Sequence, residues 1–393
     1  MVPDFNLEGI AIAGYDESEV GIVPNKSTTE LYVDAMLNAI SNAGLKPSDI
    51  DGVISGNSMV EHYRYHAEAM AEYIGLDARY CLTLNTGGGT TASALTSAAA
   101  AINSGAAECI VVAFGESMRS GFGPRAVEMI GAARGANHPD YEAPYGQTVP
   151  SLYALIGTRH MHEYGTKPEH FAAVAVTMRE NASRNPKAQK RDIITIDDVL
   201  SSPLVASPLR RLDCSLISDG AGALVVTSLD RARDLPGTPV RLLGIGQAYS
   251  HHHITTAPSL TTFGSRVAGS QAFSMAKLSH DDIDLIGIYD AFTPCVVVTL
   301  EDLGFCKPGE GGPFVADGNI AMSGRFPVNP HGGLLSCAHP GRPGGIFTLG
   351  ELVRQLREEA GERQLQKATT AIAALEGGIM SSHGTVIIQR DER

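Results

Sequence analysis

The residues best suited to chemistry lie in one glycine-rich segment, NPHGGLLSCAHPGRPGG (329–345), just before a pattern typical of a helix. The segment carries two histidines, one cysteine and five glycines. Glycines let backbone N–H groups approach a ligand, and a histidine among them can donate to an oxyanion or move a proton. His339 is therefore the strongest candidate for a catalytic residue. The weaker candidates in this segment, as groups that contact a substrate, are His331, Gly332 and Gly333.

A second segment, LNTGGGTTASAL (84–95), places three consecutive glycines between a β-like run and a helix of small residues. Such a junction often holds a phosphate or a nucleophilic side chain at its tip, whereas this tip carries no side chain. The chain has no Walker loop, no Gly-x-Ser-x-Gly elbow and no clear dinucleotide fingerprint. The candidate groups in this turn are the backbone N–H groups of Gly87, Gly88 and Gly89, which could bind an oxyanion or a substrate.

Two tyrosines are candidate acids or bases. Tyr289 ends an apolar, strand-like run within DLIGIYDAFTP (284–294). It is either a buried tyrosine with a hydrogen-bonded hydroxyl or a general acid or base, and a phenol needs help for the latter because its unperturbed pKa is ~10. Tyr249 is a second candidate phenol. It precedes three adjacent histidines (251–253), for which a solvated loop is favoured because adjacent residues do not converge on one metal.

Composition limits the class of protein. The chain has 393 residues, with 30 Lys and Arg against 43 Asp and Glu, which gives a net charge of −13. This acidity argues against a general nucleic-acid binder but leaves an anionic ligand such as a nucleotide thioester open. The six cysteines form no Cys-x-x-Cys pair, so a metal site is not expected. No apolar run approaches ~20 residues and the N-terminal segment is acidic, so we expect no membrane span and a cytoplasmic location.

Short apolar strands alternate with amphipathic helices along the chain, which indicates an α/β protein whose sheet is covered on both faces. The segments AGLKPSDIDGVI (43–54) and AKLSHDDIDLIG (276–287) both join a helix to a strand, and both contain Asp-Ile-Asp. Similarity between two segments this far apart in the chain predicts a duplicated domain. We expect an N-terminal half over 1–232, with a loop insertion at about 116–195, and a C-terminal half over 233–393, joined by the polar segment DRARDLPGTP.

Together these segments resemble the thiolase superfamily, particularly sterol-carrier-type thiolases and the lipid-transfer-protein-type aldolases of bacterial steroid side-chain degradation. The matching segments span nearly the whole chain and occur in order: AAECIVVAFGESM, RHMHEYGT, LRRLDCSLISDGAGALVV, IYDAF and NPHGGLLSCAHPGRPGG. The resemblance implies two βαβαβαββ halves in a five-layer α/β/α/β/α arrangement and a homodimer. It also implies a coenzyme A thioester as substrate, with no tightly bound cofactor.

The same resemblance assigns the positions of the thiolase catalytic groups. The nucleophilic cysteine of a thiolase falls at Gly88, give or take one residue, and its Asn or His falls at Tyr289. The histidine of the Gly-His-Pro motif is His339. The second thiolase cysteine falls within LEGGIMSSHG (375–384), which contains no cysteine.

Without the nucleophile, retro-aldol cleavage of a 3-hydroxyacyl-CoA is the favoured chemistry, because it needs an oxyanion site and a proton acceptor but no covalent intermediate. Tyr289, with His339 close by, would handle the proton. His339 and the glycine turn, with room at its tip, would hold the thioester enolate. The related aldolases work with a small OB-fold subunit that helps to bind acyl-CoA. We therefore expect a separate partner of this kind, which can carry zinc.

Two alternatives remain open. One is acyl transfer by a displaced nucleophile, Cys337, if its pKa is lowered. In a strand the side chains of Cys337 and His339 would face the same side. The other is a non-catalytic subunit that binds acyl-CoA.

Overall fold

The computed structural model describes residues 6–131 and 137–392. Within these ranges, no helix has the length and apolarity that a bilayer crossing requires. The strands are β1 (Ile10–Glu17), β2 (Gly52–Ser55), β3 (Tyr80–Thr83), β4 (Cys109–Ser117), β5 (Leu204–Ala206), β6 (Leu209–Arg210), β7 (Asp219–Ser228), β8 (Val240–Tyr249), β9 (Leu285–Ile288), β10 (Thr370–Gly377) and β11 (Ser382–Arg390).

Fourteen α-helices are assigned within the described ranges. They are α1 (Thr28–Asn42), α2 (His66–Tyr73), α3 (Thr90–Asn103), α4 (Met118–Gly121), α5 (Ala126–Gly131), α6 (Val149–Tyr164), α7 (Pro168–Ser183), α8 (Ile196–Ser201), α9 (Leu229–Arg233), α10 (Ser265–Ala276), α11 (Thr293–Leu303), α12 (Gly311–Ala316), α13 (Gly333–Ser336) and α14 (Gly344–Leu356).

The two halves repeat one topology. The main sheet has the order β3-β2-β4-β7-β1-β8-β11-β10-β9, and the halves meet where β1 pairs with β8. Read outward from that junction, each half places its first strand next to its last, antiparallel, followed by its fourth and second. In the C-terminal half the third strand is reduced to a single parallel bridge between Ile286 and Val328. The predicted duplication of βαβαβαββ halves is confirmed.

The two halves of the sheet enclose α3 and α14, which form the middle layer. Each of these helices contacts strands of both halves, and they contact each other. The small residues of TTASALTSAAAAIN let α3 lie close to the strands on either side, and five of its six alanines are buried. On the outer faces, α1 and α2 cover the N-terminal half, and α10 covers the C-terminal half with α11 beside it. The five-layer arrangement follows from this packing.

Local sequence signals explain where several elements begin. The side chain of Ser27 accepts from the backbone N–H of Glu30 while Glu30 accepts from that of Ser27, so a capping box starts α1. The sequence EHYRYHAEAMAEY (61–73) has a helical pattern from Glu61 onward, whereas α2 begins only at His66. Residues before it form a loop, because Glu61 accepts from the N–H and hydroxyl of Thr29 and is thereby tied to the start of α1.

The segment between β4 and β7 carries α4 to α8 and the short β5–β6 hairpin. Its helices α6 and α7 pack against α11 of the C-terminal half, and α7 also contacts α12 and α13. Residues 132–136 of this segment lie outside the described ranges. The insertion at about 116–195 and the boundary between 232 and 233 stay predictions about domain organisation.

Candidate active site

The candidate active site is built by loops at the ends of the central elements. The glycine turn connects β3 to α3, Tyr289 directly follows β9, and the His339 loop leads into α14. The side chain of Thr90 closes the glycine turn, because it accepts from the N–H of Thr86 and donates to the carbonyl of Gly87. The two central helices therefore both begin at the site.

Tyr289 and His339 are joined by a hydrogen bond. The phenol oxygen of Tyr289 lies 2.9 Å from Nε2 of His339 and 2.8 Å from the carbonyl oxygen of Gly341. On the far side of the imidazole, Nδ1 lies 2.7 Å from Oγ of Ser215. The backbone N–H of His339 donates to Oγ of Ser218 at 2.8 Å. Both candidate groups are thus held in a fixed geometry on a shared line of hydrogen bonds.

The ring of Tyr289 fills the space at the tip of the glycine turn. A Cβ atom on Gly88 would lie 2.3 Å from Cε2 of Tyr289 and 2.0 Å from the carbonyl oxygen of Glu376. A Cβ on Gly345, in the first turn of α14, would lie 2.2 Å from the carbonyl oxygen of Gly88. The expectation that the missing side chain leaves room at the tip is therefore wrong, since an aromatic ring from the C-terminal half occupies that room.

The neighbouring glycines are constrained for different reasons. Gly87 has a φ of +63°, which favours glycine, and a Cβ there would lie 2.6 Å from Cα of Gly377. A Cβ on Gly89 would lie 3.1 Å from the Ser382 hydroxyl, which is a milder contact with a side chain. Residue 88 is therefore the position of the turn at which an added side chain would clash most severely.

Burial keeps the pair of candidate catalytic groups uncharged. Burial raises the pKa of Tyr289 well above its usual value, and the negative charges of Glu376 and Asp290 raise it further. Burial lowers the pKa of His339 to about 4. At neutral pH a phenol therefore faces a neutral imidazole, rather than a tyrosinate facing an imidazolium.

Two carboxyl groups beside this pair were not predicted from the sequence. Asp290 is fully buried and accepts from the backbone N–H groups of Leu334 and Leu335, at 2.8 and 3.3 Å, so it fixes the start of α13. Burial raises the pKa of Asp290 to about 7. A Cβ on Gly333, whose φ is +64°, would lie 2.0 Å from a carboxylate oxygen of Asp290, so this loop needs glycine there. The adjacent letters Tyr-Asp in IYDAF were the available signal.

Glu376 is the second carboxyl group, and it lies at the end of β10. Its Oε1 accepts from the hydroxyl of Tyr153 at 3.2 Å, whereas its Oε2 is buried with no hydrogen-bond partner among the described residues. Burial raises the pKa of Glu376 to about 8, although the hydrogen bonds from Tyr153 and Cys295 act in the opposite direction. An acid inside an otherwise apolar strand, IAALEGG, was the signal in the sequence.

The raised pKa of Glu376 predicts a pH-dependent effect on stability. Because its folded pKa of about 8 exceeds the unfolded value near 4.5, the group favours the fold at low pH and loses that contribution as pH rises toward 8. Glu376→Gln keeps the acceptor for Tyr153 without the charge. We expect its free energy of unfolding, from urea denaturation, to match the wild type near pH 5 and to exceed it by on the order of a few kcal/mol at pH 8.5. Parallel curves, as expected for the exposed control Glu169→Gln, would contradict this.

Cys337 is not an activated thiol. It lies directly after α13 with a φ of −82° and a ψ of −74°, so the premise that it shares a strand with His339 is wrong. Its sulfur accepts from Nδ2 of Asn185 at 3.3 Å and packs with Ala182 and Ala188. Burial raises the pKa of the thiol far above its usual value, which is the reverse of what a nucleophile requires.

His331 and Tyr249 are not joined to the Tyr289–His339 pair. His331 is buried, and neither of its ring nitrogens has a hydrogen-bond partner among the described residues. Burial lowers its pKa to about 4. Gly332, with a φ of +102°, turns the chain beside it. Tyr249 is 58% exposed at the end of β8, where its hydroxyl donates to Oε1 of Gln247 at 2.9 Å.

The three adjacent histidines point to different partners. Nε2 of His251 lies 3.0 Å from the carbonyl oxygen of Ile379, whereas His252 and His253 contact each other edge to face. Over the ranges that the structure describes, no group of three or more His, Cys, Asp or Glu side chains is arranged to hold a metal ion.

Comparison with known proteins agrees with this fold. The N-terminal domain of thiolase matches residues 16–230, and a thiolase C-terminal domain-like family matches residues 246–390. The chain therefore belongs to the thiolase superfamily, in the sterol-carrier-type group that includes aldolases.

Relatives of this chain include both acyl-transfer and aldolase enzymes. An acetyl-CoA acetyltransferase of Methanothermobacter thermautotrophicus is 35% identical over 388 residues, which cover 98% of this chain and 100% of that protein. A steroid side-chain-cleaving aldolase of Thermomonospora curvata is 37% identical over 355 residues, covering 88% and 90%. The solved structure of an Ltp2–ChsH2(DUF35) aldolase is 32% identical, with a TM-score of 0.87 and coverage of 98% and 99%.

Proposed function

We propose that this chain is a lyase that cleaves the Cα–Cβ bond of a 3-hydroxyacyl-CoA by a retro-aldol reaction, without a covalent enzyme intermediate. The observation that carries this proposal is the position of the Tyr289 ring, which fills the place of a side chain at residue 88. A nucleophile cannot stand there while the ring does. The similarity to a steroid side-chain-cleaving aldolase supports the same chemistry and a bulky acyl group.

The hydrogen-bonded pair supplies the proton transfer. The phenol proton lies toward the Gly341 carbonyl in this structure, and with substrate bound it turns to Nε2 of His339. The 3-hydroxyl of the substrate then gives its proton to the Tyr289 oxygen as the phenol passes its own proton to Nε2. The Cα–Cβ bond then breaks, and Cβ becomes the carbonyl carbon of the released aldehyde or ketone. The electron pair of the broken bond stays with Cα and forms the thioester enolate. Tyr289 then gives a proton to Cα of the enolate and takes a proton back from Nε2 of His339, so both groups return to their uncharged state and the reaction needs no net acid or base. The relay requires a phenol that carries its proton and an imidazole with a free ring nitrogen, and burial keeps both groups in these uncharged states.

The enolate oxygen would be held where the central helices begin. The N-termini of α3 and α14 meet there, as the contact between Gly345 and Gly88 demonstrates, and each brings a partial positive charge. Backbone N–H groups of the glycine turn and the imidazole of His339 are the donors in this proposal. Fixed donors at a developing oxyanion typically contribute about 3 kcal/mol each.

The assembly in this proposal is a homodimer that works with a separate OB-fold subunit, which can carry zinc. The similarity to the Ltp2–ChsH2(DUF35) aldolase supports a partner subunit. The substrate is a coenzyme A thioester, and the chain itself binds no cofactor tightly. We also propose a cytoplasmic location.

Acyl transfer is the second candidate function, favoured by the 35% identity to an acetyl-CoA acetyltransferase. It would require Cys337 to act as the displaced nucleophile, and the buried, protonated thiol argues against that role. The third candidate, a non-catalytic subunit that binds acyl-CoA, leaves the fixed Tyr289–His339 pair without a purpose.

One experiment separates the three functions. The protein, co-purified with any co-encoded OB-fold subunit, is incubated with a 3-hydroxyacyl-CoA, or with a 3-oxoacyl-CoA plus free CoA. We expect carbonyl product and shortened acyl-CoA from the first incubation and no thiolysis in the second. Thiolysis with an acyl adduct on the protein would overturn the proposal, and tight binding without turnover would favour the binding subunit.

Cys337→Ser provides a sharper test of the nucleophile. We expect this variant to keep its aldolase kcat within about threefold of the wild type, since the thiol takes no part in the proton transfer. The residue is buried, so its folding is checked by circular dichroism and thermal unfolding before the kinetics are compared. A well-folded Cys337→Ser protein without activity would mean that the sulfur participates in the chemistry.

A further inference from the structure

A second, narrow cleft of about 20 Å³ lies beside the Tyr289–His339 pair, at the carboxyl ends of β2, β3 and β4. These three strands are parallel, and the carboxyl ends of parallel strands are the usual place for ligands in α/β folds. The polar residues that line the cleft include Asn57, Asn85, Glu116 and Arg342, and the first two and the last are exposed at its mouth.

The cleft shares two walls with the candidate active site. One wall is formed by Asn85 and Thr90, which flank the glycine turn on either side. The other is formed by Arg342, the residue after Gly341, whose carbonyl accepts the hydrogen bond from Tyr289. A substrate held at Tyr289 and His339 could therefore place one of its ends at the mouth of this cleft.

Arg342 brings a cation with unused hydrogen-bond donors. It is exposed, and within the described ranges its guanidinium makes no hydrogen bond or close ion pair, although its charge acts on the pKa of Glu116 and of Tyr32. The acid nearest to it in the cleft is Glu116, which is buried and already engaged: it accepts from Oγ of Ser58 at 2.8 Å and from the backbone N–H of Met59 at 2.5 Å. Glu116 thus makes its hydrogen bonds to the local structure and attracts Arg342 only through space, so the donors of the guanidinium remain for a ligand.

Two amide side chains flank this cation. Asn57 and Asn85 are both exposed at the cleft. Oδ1 of Asn85 accepts from the N–H of Gly87 at 3.4 Å, so its NH2 group is the part left to donate. A guanidinium with amide donors around it matches the planar, two-oxygen geometry of a carboxylate.

We propose that this cleft binds a carboxylate at the end of the acyl chain remote from the thioester, and that Arg342 selects substrates that carry one. The inference rests on the proposed function only for the 3-hydroxyl group and for the Cα–Cβ bond that is cleaved. The proposed recognition of the carboxylate depends only on this chain binding a coenzyme A thioester, and not on which reaction follows. The acyl group would therefore be that of a dicarboxylic acid, whatever else it carries.

The test compares binding of matched pairs of thioesters by isothermal titration calorimetry. The protein, with any co-purified partner subunit, is titrated with succinyl-, adipoyl- and suberoyl-CoA and with butyryl-, hexanoyl- and octanoyl-CoA. We expect at least one diacid thioester to bind about 10-fold or more tightly than the monoacid of equal length, as for a hydrogen-bonded ion pair. Arg342→Met should remove this preference and leave the monoacids unchanged.

The controls separate this subsite from other causes. Arg325→Met removes another exposed arginine, one that is paired with Asp281 at 2.9 Å, and should keep the preference. Free CoA tests whether Arg342 instead holds the phosphates of the cofactor: equal weakening of free CoA and of all thioesters in Arg342→Met would overturn the proposal.

Three further results would contradict the proposed carboxylate subsite. No diacid preference at any length, a preference that survives Arg342→Met, or no measurable binding of any diacid thioester would also overturn it. Failure of the aldolase proposal is detected separately, because none of these ligands carries a 3-hydroxyl group and no cleavage is measured. A diacid preference without aldolase activity would keep the subsite and discard only the reaction.

Discussion

Replacing Tyr289 with phenylalanine is expected to lower kcat for 3-hydroxyacyl-CoA cleavage by about 10²–10⁴-fold, the usual contribution of a positioned acid or base. The phenyl ring still fills the tip of the glycine turn, so only the hydroxyl is lost. That hydroxyl joins the substrate to His339 in the proposed proton path. The substrate would still be held by the thioester-binding groups, and KM should change by much less than kcat. Steady-state kinetics of carbonyl release measure both parameters.

Loss of this hydroxyl also leaves the Gly341 carbonyl and the His339 ring nitrogen without their partner, at a cost of about 1–3 kcal/mol in stability. Tyr153→Phe is the matched control. Tyr153 is another buried tyrosine whose hydroxyl donates to Glu376 and to the carbonyl of Gly378, and it has no role in the proposed proton transfer. If Tyr289→Phe keeps kcat within threefold of the wild type, Tyr289 is not the group that moves the proton.

Restoring a cysteine at residue 88 is expected to destabilise the protein rather than to produce a thiolase. The new Cβ would overlap the Tyr289 ring and the Glu376 carbonyl, and the backbone carbonyl cannot move aside as a flexible side chain would. Overpacking of this kind costs about 1–3 kcal/mol or more. We therefore expect Gly88→Cys to unfold at lower urea concentration, to lose aldolase activity as the ring is displaced, and to form no acyl adduct.

Gly89→Cys is the control for the chemistry of the new thiol. Residue 89 has a φ of −71°, and the nearest atom to its Cβ is the hydroxyl oxygen of Ser382, at 3.1 Å. A cysteine is therefore accommodated there with a smaller loss of stability. Mass spectrometry after incubation with acyl-CoA detects any adduct in either variant. A Gly88→Cys protein as stable as the wild type that carries an acyl group would indicate that Tyr289 yields readily and that the turn is a thiolase turn lacking only its sulfur.

The sequence predicted the elements of the fold well, because their signals are local or repeated. The capping box at Ser27 and Glu30, the small residues of α3 and the paired Asp-Ile-Asp segments each depend on residues close together in the chain. The hydrogen bond between Tyr289 and His339 could be anticipated only from the resemblance, since 50 residues separate them.

The errors concern contacts between the halves. The tip of the glycine turn is filled by a ring that arrives from more than 200 residues away, and no pattern within 84–95 could reveal it. In the sequence, Glu376 belongs to a stretch noted only for its lack of cysteine. The folded structure buries its carboxyl group and brings it beside that ring. The alternative for Cys337 supposed that it shares a strand with His339, two residues further on, whereas the backbone is not extended at Cys337, which directly follows the short helix α13.

The duplication has a consequence for the history of this centre. Each repeat contributes one central helix and the loop before it, and the chemistry requires the loop of one repeat to meet the strand end of the other. A single ancestral repeat could have had such a centre only by pairing with a second copy of itself, and that pair would have carried two equivalent centres. In a fused chain with two repeats, only one of these two centres has to be kept for the reaction. The two repeats already differ in structure, because the third strand of the C-terminal repeat is reduced to the single bridge at Val328.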